Sequence, residues 1–174
     1  MSALISAFIA GRYQRLLLAA LVALTLCSYD GLAHAAAPGQ TARTRLIVYA
    51  GGESPGVEVQ SRDDAGHLRG APTAFKRFIG RKAQRLADHT TCSGGYVGVT
   101  VERVRTDGYA IGGVNDCGGY EALWAVVDGR WREIAGTQDM WDCGLLERHA
   151  VPSSIAGTRC YDVDAHRVRH YHQR

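Results

Sequence analysis

Lysine is scarce in this sequence. Of the 20 basic residues only Lys76 and Lys82 are lysines, and arginine supplies the remaining positive charge. Together with the abundance of alanine and glycine, this bias is typical of high-GC bacterial genomes and carries no chemical information. The formal net charge is +3, which is too small for the basic footprint of a nucleic-acid-binding protein. We therefore expect no nucleic-acid partner.

The sequence also lacks an apolar run long enough to span a membrane. The main run, residues 16–26, has 11 residues, whereas a spanning helix needs about twenty. Arg12 and Arg15 precede this run, and the small-x-small sequence of residues 33–35 follows it. A positive segment, a short apolar core and such a cleavage site together are typical of a secretory signal peptide. We predict that residues 1–35 are removed and that the protein is secreted to the medium or the cell envelope.

A lipid anchor is the alternative at this end of the chain. Residues 24–27 resemble a lipobox, in which Cys27 would carry the lipid. The position before that cysteine should be small, and Leu26 is not. A soluble exported protein is therefore favoured over a lipoprotein.

Cysteine is sparse, and removal of the leader leaves Cys92, Cys117, Cys143 and Cys160. An even number in a short exported chain predicts disulfides, for which three pairings exist. Cys143–Cys160 closes a compact loop. Cys92–Cys117 requires the chain to fold back at two adjacent glycines, because a two-residue turn in the intervening hairpin places Cys117 opposite Gly98. We favour these two bridges.

One long helix is predicted over residues 73–88, because apolar residues recur there at three- and four-residue spacing. Its apolar face consists of Phe75, Phe78, Ile79, Ala83, Leu86 and Ala87. A basic amphipathic helix of this kind can lie on an anionic membrane surface. Since no other long amphipathic element is available to cover a sheet, a core-covering helix is favoured and membrane binding is not expected.

Strands follow the helix. Apolar residues alternate there, and two turn signals, Asp107-Gly108 and Asp128-Gly129, join the strands in hairpins. The predicted fold class is α+β: one long helix packed on a four-stranded antiparallel meander, stapled by disulfides, with short helical turns at the C-terminal end. The domain spans residues 46–161 and follows a flexible lead-in at 36–45. Residues 162–174 form a polar tail rich in His and Arg, which we expect to fray.

Three tryptophans suggest a carbohydrate-binding face. Pairing around the second turn places Trp124 opposite Glu133 and puts Trp131 on the same face, and aromatic residues in such positions usually form a sheet core. A core is therefore favoured over a ligand platform. Glu133 is the exception, because under a covering helix it needs a partner or lines a cavity. Glu133 and Trp141 are the candidate binding residues.

No constellation of catalytic residues stands out. Residues 52–56 match the G-x-S-x-G pattern of a nucleophile elbow, but the residue after the serine must donate its backbone N–H, and Pro55 has none. His166, His170 and His172 resemble metal ligands, yet nothing indicates a scaffold that would hold them. We expect no catalytic residue, no metal and no cofactor.

Several features recur in known secreted proteins: Phe75-Lys76-x-Phe78-Ile79, the Val99 to Gly108 hairpin, Leu123-Trp124-Ala125-Val126-Val127-Asp128-Gly129-x-Trp131, Cys143, Val151-Pro152 and Cys160. In these features the chain resembles a broad group of small secreted proteins of unknown function from high-GC, actinobacterial-type bacteria. The resemblance implies an exported domain and carries over no catalytic residues. The order of helix and then meander is similar to cystatin-like and NTF2-like folds, and this implies an α+β architecture but no function.

These observations favour an exported, non-catalytic binding or interaction domain of the bacterial envelope or medium, with a cell-wall or protein partner. One alternative is a small secreted, hydrolase-like enzyme with a pocket between helix and sheet that contains Glu133. The other is a membrane-surface effector that acts through the basic helix 73–88.

Overall fold

A computed structural model describes residues 43–174. The predicted leader with Cys27, and most of the predicted lead-in, lie outside the described residues. The elements in chain order are β1 (Leu46–Val48), β2 (Val57–Val59), a short 3-10 helix (Asp64–His67), α1 (Thr73–His89), β3 (Gly98–Arg105), β4 (Tyr109–Asn115), β5 (Gly119–Val127), β6 (Arg130–Thr137), α2 (Cys143–Arg148), α3 (Ser153–Ala156), β7 (Arg159–Asp162) and β8 (Arg167–His170).

α1 confirms the predicted long helix. Phe75, Ile79 and Ala83 on its apolar face are fully buried. The Phe75 ring packs against two tryptophans of the sheet, at centroid distances of 6.2 Å to Trp124 and 4.6 Å to Trp131. Each large apolar side chain buried in this way contributes about 1.5–3 kcal/mol. The tryptophans of the meander therefore form a core under α1, as their pairing pattern predicted.

The sheet contains the predicted meander but is larger than four strands. β3, β4, β5 and β6 pair antiparallel in sequence order, and β1 and β2 both pair antiparallel with the outer edge of β3. The predicted strand count was therefore wrong. β1 and β2 have three residues each, and the apolar residues at 46–49, 57 and 59 are of strand type, but the sequence does not indicate that both strands pair with β3.

The two hairpin turns differ. Asp128 and Gly129 both have positive φ, 51° and 71°, as a two-residue type I′ turn requires. The first turn spans three residues instead, because Arg105 pairs with Tyr109. A bulge between Val101 and Arg103 shifts the register again.

The predicted partner of Gly98 was consequently wrong. Gly98 pairs with Asn115 and not with Cys117. The bridge Cys92–Cys117 nevertheless forms, with its Cα atoms 5.4 Å apart. It ties the segment after α1 to the connection between β4 and β5.

A second layer covers part of the sheet face opposite α1. Ile111 and Leu123 point away from α1 and pack on this layer. The layer consists of α2, α3 and the hairpin β7–β8, and the Cys143–Cys160 bridge joins α2 to β7. Each of the two disulfides is worth about 3 kcal/mol for loops of this length. The α+β class and the two favoured bridges are thus present.

The C-terminal tail belongs to this second layer, which corrects the expectation that residues 162–174 fray. β7 pairs with β8, and Arg169 bridges Asp162 and Glu147 at 3.1 and 2.7 Å. Tyr171 is only 4% exposed. The tail is therefore ordered by packing and pairing that its polar composition does not reveal.

Replacing Tyr171 by phenylalanine is expected to lower the free energy of unfolding by about 1–2 kcal/mol. The Tyr171 hydroxyl lies 2.5 Å from the carbonyl oxygen of Val151 and 3.2 Å from that of Leu146, and both acceptors would lose it in a buried site. Urea unfolding measures the change, with His172→Ala as an exposed control. Equal stability of the two variants would show that the tail is not docked.

Candidate functional site

The Glu133 carboxylate lies between α1 and the sheet and is held by three donors. Lys82 of α1 forms an ion pair with it at 2.9 Å, the Tyr120 hydroxyl donates at 2.8 Å and the Trp124 indole N–H donates at 3.1 Å. The side chain of Glu133 is 27% exposed and that of Lys82 is 17% exposed. The sequence predicted that Glu133 either has a polar partner or lines a cavity, and in the structure it has polar partners.

The surroundings of Tyr120 raise the pKa of its hydroxyl group. Burial raises its pKa first, and the hydrogen bond to Glu133 and the negative charge of that carboxylate raise it further, to about 12. The neutral phenol is thus kept as a hydrogen-bond donor over the ordinary pH range. The contacts of Glu133 join the helix to the sheet.

Trp141, the second candidate binding residue, is 5% exposed and lies in the core formed under the second layer. Its carbonyl oxygen accepts a hydrogen bond from the Tyr161 N–H at 2.8 Å. Glu133 and Trp141 therefore lie on opposite faces of the sheet, and the structure does not bring them together. Neither the indole of Trp141 nor that of Trp124 presents a surface for stacking on a sugar.

A groove of about 510 Å³ opens on the sheet face opposite α1, beyond the end of the second layer. Its lining is polar and includes three carboxylates, and within residues 43–174 it contains no basic side chain. The lining residues are Thr100, Glu102, Gly113, Val114, Asn115, Gly119, Tyr120, Glu121, Thr137, Gln138 and Asp139. Among the described residues this groove is a concave feature in which polar groups converge, and such a feature is a usual form of binding site.

The groove owes its shape to particular features of three strands. Gly113 of β4 lies between Thr100 of β3 and Glu121 of β5, so the middle of the floor has no side chain. Glu102 is the bulge residue of β3, which re-aims its side chain. The two glutamates therefore flank a bare strip of backbone.

The two carboxylates interact. Burial is the main cause that raises the pKa of Glu121, and the negative charge of Glu102 raises it further. The positive charge of Arg103 and the side chain of Trp141 oppose this shift. A half-buried carboxylate next to a second one is typical of sites that bind cations or transfer protons.

The groove was not predicted from the sequence. Strand alternation already placed Thr100 and Glu102 on the face opposite the valines of β3, and that was the available signal. What alternation does not show is where the covering layer ends. Which part of this sheet face stays open depends on the position of α2 and α3, and these helices are distant in sequence from β3.

The serine turn and the tail histidines considered in the sequence lie away from the groove. Ser54 lies in an exposed turn closed by mutual backbone bonds with Gly51 at 3.0 Å. Among the described residues, the three tail histidines join no cluster of metal-ligand geometry. The cluster with that geometry is Cys92, Asp116 and Cys117, whose two sulfur atoms are joined in a disulfide.

Within residues 43–174, no helix is long and apolar enough to cross a membrane. The fold and the groove thus define an α+β domain with a polar, acidic groove on its open sheet face. No protein-family model, curated protein or solved structure significantly matches this chain.

Proposed function

We propose that this protein is an exported, non-catalytic binding domain whose groove holds a ligand that carries a cationic amine. The observation behind this proposal is the acidic lining: Glu102, Glu121 and Asp139 converge on a groove of about 510 Å³ without a basic side chain. A protonated amine supplies the charge and the donors that three carboxylates accept. Cell-wall peptides and basic proteins of the envelope carry such groups.

Two further observations support binding rather than chemistry. The Glu133 carboxylate, on which an enzyme with a pocket between helix and sheet would depend, is engaged by Lys82, Tyr120 and Trp124. A membrane-surface effector would need the apolar face of α1, which is buried against the sheet at Phe75.

The double variant Glu102→Gln/Glu121→Gln is expected to weaken binding of a short lysine peptide about thirtyfold, because at each position a charge-assisted hydrogen bond of about 2 kcal/mol becomes a neutral one of about 1 kcal/mol. Isothermal titration calorimetry measures the affinity. The matched control is Asp128→Asn/Asp164→Asn, which removes the same charge from exposed turn positions outside the groove. Equal losses in both variants would contradict the proposal.

The pH dependence of the affinity for the lysine peptide is a second test of the proposal. Binding of a cation requires ionised Glu121, and the pKa of this residue is raised. Affinity should therefore rise with pH through a value above that of an ordinary glutamate, and it should fall as the pH decreases through that value. The Glu121→Gln variant should lose this dependence.

A small hydrolase is the second candidate, and its residues would lie in the same groove. A carboxyl group with a raised pKa beside a second carboxylate, here Glu121 beside Glu102, is the arrangement of general acid–base catalysis. Hydrolysis of a chromogenic glycoside, abolished by Glu121→Gln with unchanged stability, would replace the binding function by this one.

A further inference from the structure

A second concave feature, lined by basic residues, lies on the outer surface of α1, away from the groove. A cleft of about 320 Å³ is lined there by Arg62, Lys76, Arg77, Gly80 and Arg81. Three of its cationic groups come from the solvent-facing side of α1, and the fourth comes from the loop before the short 3-10 helix. The cleft thus gathers four positive charges from two segments that are separate in sequence.

Gly80 explains why the loop lies so close to the helix. A Cβ at this position would be 3.1 Å from both the Cα and the carbonyl oxygen of Arg62, and 3.2 Å from the Cβ of Ala65. The Arg62 backbone N–H also donates to the Gln84 side chain at 3.4 Å. Glycine within a helix costs about 1 kcal/mol relative to alanine, and here it lets the Arg62 backbone approach α1.

The four charges are uncompensated in the part of the chain that the structure describes. The ion pair made by α1 uses Lys82 and Glu133, a pair that lies toward the sheet. Arg62, Arg77 and Arg81 are exposed and have no ion pair with another described residue. Like charges that line one cleft repel one another, and an anion bound between them reduces the repulsion.

We propose that this cleft binds a phosphate group. Guanidinium groups present paired N–H donors that match the oxygens of a phosphate, which favours phosphate over a monovalent halide. The phosphate can belong to a polymer, to a lipid headgroup or to a free ion, since the cleft contacts the same oxygens in each case. This site is independent of the groove, which lies on the opposite face of the sheet.

The experiment compares two double variants with the same loss of charge. Arg77→Gln/Arg81→Gln removes two cleft residues, and Arg159→Gln/Arg167→Gln removes two exposed arginines of the β7–β8 hairpin. Titration with soluble polyphosphate, and with inorganic phosphate, is measured by calorimetry in a chloride buffer. We expect the cleft variant to bind about tenfold or more weakly, and the hairpin variant to bind within about twofold of the unaltered protein.

A vesicle experiment distinguishes a lipid headgroup from a soluble phosphate as the ligand. It compares binding to mixed vesicles of phosphatidylglycerol and phosphatidylcholine with binding to vesicles of pure phosphatidylcholine. Binding to the anionic vesicles and not to polyphosphate assigns the site to a lipid headgroup, and the reverse assigns it to a polymer or free phosphate. If both double variants bound the phosphate probes equally weakly, binding would result from the overall charge of the protein and not from the cleft, and the proposal would be overturned. Absence of binding to every probe would overturn it as well. Because all four arginines are exposed, thermal unfolding should be unchanged in both variants.

Discussion

Replacing Gly112 by alanine is expected to lower the free energy of unfolding by about 3 kcal/mol. Gly112 is fully surrounded in the middle of β4, and a Cβ there would collide with the carbonyl oxygen of Thr100 and lie 3.0 Å from the Cα of Val101. Both obstacles are backbone atoms of the neighbouring strand. The added methyl group can therefore be accommodated only if β3 and β4 move apart. Urea unfolding followed by tryptophan fluorescence measures the loss.

The adjacent residue provides a matched control. A Cβ at Gly113 would meet nothing closer than the Cβ of Thr100 at 3.9 Å, which is an ordinary contact. Gly113→Ala should therefore change stability by less than about 1 kcal/mol. Similar losses in the two variants would mean that strand propensity, and not the close approach of β3, requires glycine at this point.

The glycine pair illustrates what the sequence can and cannot reveal. Alternating valines and the turn at Asp107-Gly108 predicted that β3 and β4 form a hairpin, because both signals are local. The bulge at Glu102 is not encoded by any local pattern. It lies between the pair of Val101 with Gly112 and the pair of Arg103 with Ile111, so it is a property of the pairing between two strands.

The same distinction applies to the rest of the fold. α1 was predicted correctly because its apolar period and its end are features of one segment, and the turn at Asp128-Gly129 was predicted correctly because two residues with positive φ define it. The docking of the tail was missed. Its one strongly buried residue, Tyr171, lies among polar neighbours, and its acceptors are carbonyl groups of residues 146 and 151.

The candidate site was predicted less well than the fold. Pairing around the second turn placed Glu133 opposite Trp124 and raised the question of its partner, but the helical pattern did not indicate that Lys82 supplies it. The rotation of α1 on the sheet decides which of its basic residues reach inward. That rotation is set by the packing of Phe75 between two tryptophans, a long-range contact.

Replacing Glu133 by alanine is expected to lower the free energy of unfolding by about 2–3 kcal/mol. The change leaves the Lys82 ammonium, the Tyr120 hydroxyl and the Trp124 indole N–H without their acceptor in a partly buried site. Glu133→Gln keeps an acceptor oxygen and removes the charge, so its loss should be smaller. Glu133 itself is not among the groove residues, although its partner Tyr120 is, so binding of the lysine peptide should weaken far less than in the Glu102→Gln/Glu121→Gln variant.

The contribution of Tyr120 makes this prediction testable by pH. Its pKa is raised from 10.0 to about 12 in the folded protein. A raised pKa means that the folded state holds this proton more tightly than the unfolded state, so the stabilisation is complete below about pH 10 and is lost as the pH rises through 12. In the Glu133→Ala protein the hydrogen bond and the negative charge are gone, and the loss of stability at alkaline pH should become less steep. A Tyr120→Phe variant, compared with the unaltered protein, separates the contribution of this hydroxyl group from those of the other tyrosines.

If Glu133→Ala were as stable as the unaltered protein and bound the peptide less tightly, Glu133 would instead belong to the binding site.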